Sequence, residues 1–392
     1  MPVSSSRLPS RGEFQLDPGL VFLNHGSFGA VPIEVERAAT ALRAEMERNP
    51  VEWLGRRSDE LLSAARTRLG AFLGAPPDDV VFFPNPTTAV NMVVRSLRLE
   101  EGDEVLTTDH EYGACMRTWR KWCQESGAVL VEAPVTLPIS DSEAVIDQIW
   151  SRVTERTRVL FVSHLTSATA IVLPVADLCA RARQQGILTI IDGAHVPAHL
   201  DLDLGDLGAD VYTGALHKWL CAPKGCSFLY AAPHVQHWLQ PLVVSWGWDS
   251  DAPSDSAFID HHQWQGTRDI TPFLAVDAAL QFAESFDWAA MRVEKHRMAV
   301  RARDGIDAMF SAAPVCPGTP EWLGQMTVGQ LPSDVDTERL MAGLLERHRI
   351  ETRCHRWGGR ALMRISCAAY TTDDEIDMLL SVLPDEIERC RT

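Results

Sequence analysis

Between residues 79 and 232 the chain repeats one alternation, and this pattern constrains its fold more than any other feature. A short apolar run of strand-forming residues is followed by a longer stretch with apolar residues at helical spacing. The runs are DVVFF (79–83), DEVLTT (103–108), GAVLVEAPV (127–135), TRVLFVSH (157–164), ILTIIDGAH (187–195), ADVYTGA (209–215) and CSFLYAA (226–232). Between them, AVNMVVRSLRL, YGACMRTWRKWCQESG, AVIDQIWSRV and VADLCARARQQG carry the period of an amphipathic helix. Runs this apolar leave no face for water. They predict an α/β fold with a mainly parallel sheet covered on both faces by helices. Such sheets place ligands at the carboxyl ends of their strands.

Around this unit the texture changes. EVERAATALRAEM (34–46) and LLSAARTRLGAFLG (61–74) predict two earlier helices, the second closing on Gly74. Past residue 275 a long helical stretch (276–311) precedes EWLGQMTVGQL, a helix near 335–348, ALMRISCAAY and a last helix from TTDDEIDMLL. That predicts a smaller α+β domain. The expected organisation is an N-terminal arm (1–33) with its first dozen residues frayed, a large domain (34–275) and a small C-terminal domain (276–392).

The formal charge of −17 opposes nucleic-acid binding, which needs a basic face. It also disfavours docking on an anionic membrane. The N-terminus has no apolar signal core, and no run of 18 apolar residues occurs, so a membrane span is not expected. Nine cysteines without a C-x-x-C pair predict free thiols in a reducing cytoplasm. Cys221 and Cys226 have no second pair to complete a metal site, and no metal is expected.

The chemistry concentrates at predicted strand ends. Asn85 and Pro86 suit the cap and first position of a helix, and Thr87 and Thr88 follow. Free amides and two hydroxyls there make either a plain cap or an anion site. Asp192 ends an apolar run, where its carboxylate either caps the next turn or holds a cationic ring nitrogen. His195 lies three residues on, and His217 and Lys218 follow. Lys218 is one of four lysines among 36 basic residues. An ammonium can lose its proton and attack a carbonyl, whereas a guanidinium in effect cannot. An anion site, a strand-end Asp-x-x-His and a second strand end bearing His-Lys are the parts needed for pyridoxal 5′-phosphate.

In order along the chain, VFLNHGSFGAVP, NPTTAVN, EYGACMRTW, SHLTSATAIVLPV, DGAHVPAHLDLDL, LHKWLCAPKG, QGTRDI and LMRISCAAYTTDDEID resemble the isopenicillin N epimerase-like family. That family lies in the class V, cysteine desulfurase-like branch of fold-type I pyridoxal-phosphate enzymes. The resemblance implies that Lys218 forms the Schiff base, Asp192 faces the pyridine nitrogen and His195 lies near the 3′-oxygen. It implies that Tyr112 stacks on the ring and that Thr87, Thr88 and His217 hold the phosphate. Thr267 would reach the phosphate of a neighbouring subunit, making a homodimer with shared active sites. Arg364 would bind the substrate α-carboxylate, with the backbone around Asn24 and His25 closing over it, and Arg353 is a candidate second anchor for an acidic substrate. Ser167 stands where desulfurases carry an asparagine near the cofactor. Ala215 replaces a small polar residue and Ala170 a glycine. Trp246 and Trp248 take positions expected to wall the mouth of the pocket.

Four activities remain open. Epimerisation of an α-amino acid follows from the nearest resemblance and needs a second proton carrier, for which Tyr112 is the candidate. β-Elimination from a cysteine S-conjugate, with decarboxylating or oxidative variants beside it, needs only Lys218 and fits thiol or natural-product (secondary) metabolism. Cysteine desulfuration would need Cys354 as a loop nucleophile. A non-catalytic scaffold is opposed by the intact Lys218 and Asp192.

Overall fold

The computed structural model describes residues 7–391. Val80–Phe83 (β1), Glu104–Thr108 (β2), Val129–Ala133 (β3), Thr157–Ser163 (β4), Leu188–Asp192 (β5), Val211–Ala215 (β6) and Ser227–Ala231 (β7) form one sheet. Its strand order is β1-β7-β6-β5-β4-β2-β3. The run from β6 to β3 is parallel, and β7 is antiparallel to both neighbours. Interior strands are buried at nearly every position, as apolar runs require. The edge strand β3 is not, and its Val129 is 48% exposed. Strand order reverses between β2 and β4, and the crevice beyond their carboxyl ends is where an open α/β sheet takes its ligand.

Three helices matter to that crevice. α1 (His25–Phe28) belongs to the N-terminal arm, α2 (Pro86–Ser96) follows β1, and α3 (Gly113–Ser126) follows β2. Asn85 caps α2 as the sequence predicts, its Oδ1 accepting the Thr88 amide at 2.8 Å. The arm from residue 7 is tied down rather than frayed. Arg11 donates to the carbonyls of Asp17 and Leu20 and pairs with Glu375 at 3.1 Å. Val21–Phe22 pairs in parallel with Ile350–Glu351. Residues 1–6 of the expected frayed segment lie outside the described residues.

The helical stretch expected at 276–311 is two helices, Val276–Glu284 and α4 (Trp288–Met309). Asp287 breaks it by capping the Ala290 amide at 2.9 Å. After it, Met326–Leu331 (β8), Arg353–Trp357 (β9) and Arg360–Ser366 (β10) make an antiparallel sheet in the order β9-β10-β8. Gly358 and Gly359 join β9 to β10 with φ of +52° and +79°, the two positive values a tight hairpin turn needs. A second apolar core, with Met298, Leu340, Ile365 and Ile376, fills the space under this sheet.

Among the described residues no helix is long and apolar enough to cross a membrane. Nor do three or more His, Cys, Asp or Glu side chains lie together as a metal site would require. All nine cysteines are buried free thiols.

Candidate active site

A cavity of about 830 Å³ opens at the carboxyl ends of the strands. Lys218 and His217 reach it from the turn after β6, Asp192 and His195 from the end of β5, and Ser167 from the segment after β4. Tyr112 comes from the residue before α3, Thr87 and Thr88 from the first turn of α2, and Ser27 and Phe28 from α1. Residues far apart in sequence therefore meet because each sits just past a strand end or at a helix start.

Lys218 Nζ lies 3.2 Å from His195 Nε2, and the Trp219 indole N–H donates to His195 Nδ1 at 3.4 Å. With Nδ1 accepting, the ring proton resides on Nε2 and points at the lysine. That arrangement suits an amine offering its lone pair. Burial, and then the Arg364 cation, pull the Lys218 ammonium down to about 8. Burial, followed by Lys218 itself, holds His195 well below its ordinary range, so it is neutral.

Asp192 is buried at the end of β5. Its Oδ1 accepts the Ala194 amide at 3.0 Å, while its Oδ2 has only the Cys115 thiol, at 3.6 Å. Burial raises its pKa. A buried carboxylate served by so weak a donor calls for a cation, and a protonated pyridine nitrogen is one. At the other end, His217 Nδ1 donates to the Cys226 carbonyl at 2.8 Å, which leaves Nε2 for the cavity. Burial first, then Lys218, hold this ring at about 4. The Thr88 hydroxyl is turned to Asn85 at 3.0 Å. These residues fit pyridoxal phosphate: an amine to bond it, a carboxylate for its nitrogen, and the start of α2 with its threonines and a histidine for its phosphate.

Arg364, in β10, is buried behind this wall. One terminal nitrogen donates to the Ser167 carbonyl and hydroxyl at 2.9 and 3.1 Å. The other donates to the Ser27 hydroxyl at 2.9 Å and to Asn24 Oδ1 at 3.5 Å. Its Nε is buried without a partner. Burial, and then Arg353 across the β9–β10 pair, lower it to about 10. His25 acts behind the wall through its side chain. Nε2 donates to the Lys218 carbonyl at 3.0 Å, which leaves Nδ1 to accept from the Tyr370 hydroxyl at 2.9 Å. At Gly29, φ is +70° and a Cβ would come within 2.1 Å of the His217 carbonyl. The arm is thus pressed onto the backbone that carries Lys218.

A family model described as Aminotransferase class-V matches residues 31–379. The chain belongs to the class V aminotransferase family. Isopenicillin N epimerase of Amycolatopsis lactamdurans is 35% identical, covering 98% of this chain and 99% of its own. The enzyme of that name from Streptomyces clavuligerus is also 35% identical, over 95% and 96%. A probable chloroplastic L-cysteine desulfhydrase of Arabidopsis thaliana is 27% identical, over 89% and 77%. Among solved structures, apo cysteine desulfurase from Thermococcus onnurineus superposes with a TM-score of 0.85 at 18% identity, over 99% and 100% of the two chains. The cystine C-S lyase C-DES, in complex with cysteine persulfide, gives 0.82 at 23%, over 94% and 98%. These two likenesses establish the class V fold.

Within this class V chain, several sequence-predicted residues lie elsewhere than the cavity wall. Arg353 is exposed on β9 and Thr267 is exposed on its loop. Trp246 and Trp248, expected at the pocket mouth, do not line the cavity. Trp246 is 86% exposed and borders a separate groove of about 680 Å³. The aromatic side chains on the cavity wall are Phe28 and Tyr112. Cys354 is not on a loop. It is a buried β9 residue opposite Met363, packed in the second core, and burial pushes its thiol far up. Ala170 adopts φ +55°, the left-handed conformation that favours glycine, in keeping with the glycine the resemblance implied there. Ala215 is buried at the end of β6.

Glu111 was missed. It is buried beneath the cavity, where Oε1 accepts the Thr108 hydroxyl and Oε2 the Ser163 hydroxyl, each at 2.6 Å. It therefore bridges the ends of β2 and β4 where strand order reverses, and fixes the residue beside Tyr112. Burial, with Asp192 nearby adding to it, pushes its pKa up to about 8. Its signal was available as an acid between a strand end and a helix start. Ser27, the hydroxyl on Arg364, had no such signal, because its partner is 337 residues away.

Proposed function

We propose that this class V protein breaks the Cα–H bond of an α-amino acid, in the manner of an epimerase. Its cofactor is pyridoxal 5′-phosphate, which when bound supplies an electron sink for the bonds at Cα. The observation that carries the proposal is the Lys218 amine, lowered to about 8, hydrogen-bonded to a neutral His195 and set beside Asp192 in one cavity.

Lys218 then removes and returns the proton at Cα, since an amine near neutrality serves as both base and acid. Asp192 holds the charge on the ring nitrogen. Thr87, through its hydroxyl and amide, with Thr88 and His217 would hold the phosphate. Arg364, kept in place by Ser27, Ser167 and Asn24, binds the α-carboxylate through a charge-assisted pair. Tyr112, exposed on the cavity wall, would pack against the cofactor and serve as the second proton carrier that epimerisation needs.

The competing reading is β-elimination from a cysteine S-conjugate. It is favoured because elimination needs no base beyond Lys218, and by the cysteine desulfhydrase name of a relative. Both readings belong naturally to secondary or thiol metabolism. Desulfuration is disfavoured by the buried Cys354.

A homodimer completes the proposal, with Thr267 of one copy reaching the other copy's phosphate. The exposed Phe28, Val244 and Trp246, at 72%, 66% and 86%, support a covered face of this kind. The arm (1–33), large domain (34–275) and small domain (276–392) would then close the site together.

The holoenzyme, incubated with L-amino acids and L-cysteine S-conjugates in deuterated water, separates the readings. Inversion with deuterium at Cα supports epimerisation, and pyruvate release supports the lyase. Neither exchange nor product across both substrate sets would overturn the proposal.

A further inference from the structure

The cavity holds one cation more than its assigned ligands use. In that reading His217 and the two threonines answer the phosphate, Arg364 the α-carboxylate, and Lys218 bonds the cofactor. Lys224, in the turn between β6 and β7, also lines the cavity and has no task among these.

Its partners make the surplus plain. Lys121 pairs with Glu125, Lys295 with Glu294 and the Thr371 carbonyl, and Lys218 with His195. Among the described residues Lys224 has no hydrogen bond or ion pair. The acid that acts on it is Glu36, from beyond ion-pairing distance. Among the described residues, the carboxylate on the cavity wall is Asp192, bonded to the Ala194 amide and the Cys115 thiol. Lys224 is exposed, and next to it a Cβ on Gly225 would meet nothing within 4 Å, so the turn that carries the lysine is open. Arg353, the residue the sequence suggested for a second acid, is outside the wall.

We propose that Lys224 is an anion anchor of the cavity, taking the far acidic group of an amino-acid substrate that carries a second carboxylate or sulfonate. This rests on the function proposed above. The same ammonium also suits the cofactor's phosphate, and the test separates the two sources.

L-Glutamate and its neutral counterpart L-glutamine are titrated into wild-type, Lys224→Met and Lys224→Arg holoenzyme, following the visible absorption of the bound cofactor. Cofactor retention is measured separately by dialysis. A charge-assisted contact of this kind is worth about tenfold or more in affinity. Lys224→Met should therefore weaken glutamate about tenfold, leave glutamine and cofactor retention unchanged, and be rescued by Lys224→Arg. Faster cofactor loss, with both amino acids weakened alike, would assign the contact to phosphate and overturn the substrate assignment. No change in any of the three would overturn the anchor altogether. Failure of the proposed function reads differently: the wild type itself would show no visible band with added cofactor.

Discussion

The amine of Lys218 stands 3.2 Å from Nε2 of His195, a ring whose other nitrogen is held by the Trp219 indole. The relationship fixes which nitrogen carries the proton and keeps a neutral donor against the lysine. It also predicts how the apoprotein takes up its cofactor. The free amine is the reactive form, so the rate of uptake should rise with pH and level off above about 8, the value to which burial lowers Lys218. Stopped-flow absorbance between pH 6 and 10 reads the inflection, and an inflection near 10 would contradict it.

Glu111 should be a neutral acid at pH 7. Its folded pKa, about 8, lies above the ordinary carboxyl value, so the folded apoprotein holds a proton that the unfolded chain releases. The contribution of Glu111 to stability then falls as pH rises from about 4.5 to 8 and is constant beyond. Glu111→Gln removes that fall. Its Tm relative to wild type should rise from pH 5 to 8 and then stay constant. Glu111→Ala, which strands two buried hydroxyls, should cost about 1–3 kcal/mol for each group left unpaired. Thermal unfolding of both variants across this pH range checks the sign.

Arg364 offers a fork that lysine cannot reproduce. Arg364→Lys should raise KM for the amino acid roughly tenfold to a hundredfold, the range of a lost charge-assisted pair, with a smaller loss in kcat. Ser27→Ala, which frees one terminal nitrogen, should raise KM by about threefold to tenfold. Steady-state kinetics separate these from a fall in kcat alone, which would place Arg364 outside substrate binding.

Cys354 is a core residue of β9, opposite Met363. Cys354→Ala should leave turnover within about twofold and lower stability by about 1 kcal/mol for the lost packing. Loss of turnover in a folded variant would restore the desulfurase reading.

What was legible in the chain follows from distance along it. Apolar runs alternating with helical periods expose a buried parallel sheet, because both signals are local. Asn85 capping the Thr88 amide and Asp192 ending a strand are local too, so two corners of the cavity were legible from the sequence. The break at Asp287 was hidden by continuous helical spacing on both sides. Ser27 on Arg364 and Glu111 on Ser163 are pairings across 337 and 52 residues, created only when strand ends converge. Trp246 and Trp248 illustrate the opposite error. Their positions in a family motif suggested a pocket wall, but within one chain neither lines the cavity. Lys224 was visible as one of four lysines, yet its lack of a partner is a property of the folded cavity alone.

The central claim is that Lys218 moves the Cα proton. Its most direct test follows the Cα proton of an L-amino acid by NMR in deuterated water, with wild-type and Lys218→Ala holoenzyme under matched cofactor loading. The account predicts loss of that proton signal with wild type and its persistence with Lys218→Ala. Equal loss with both proteins would contradict it.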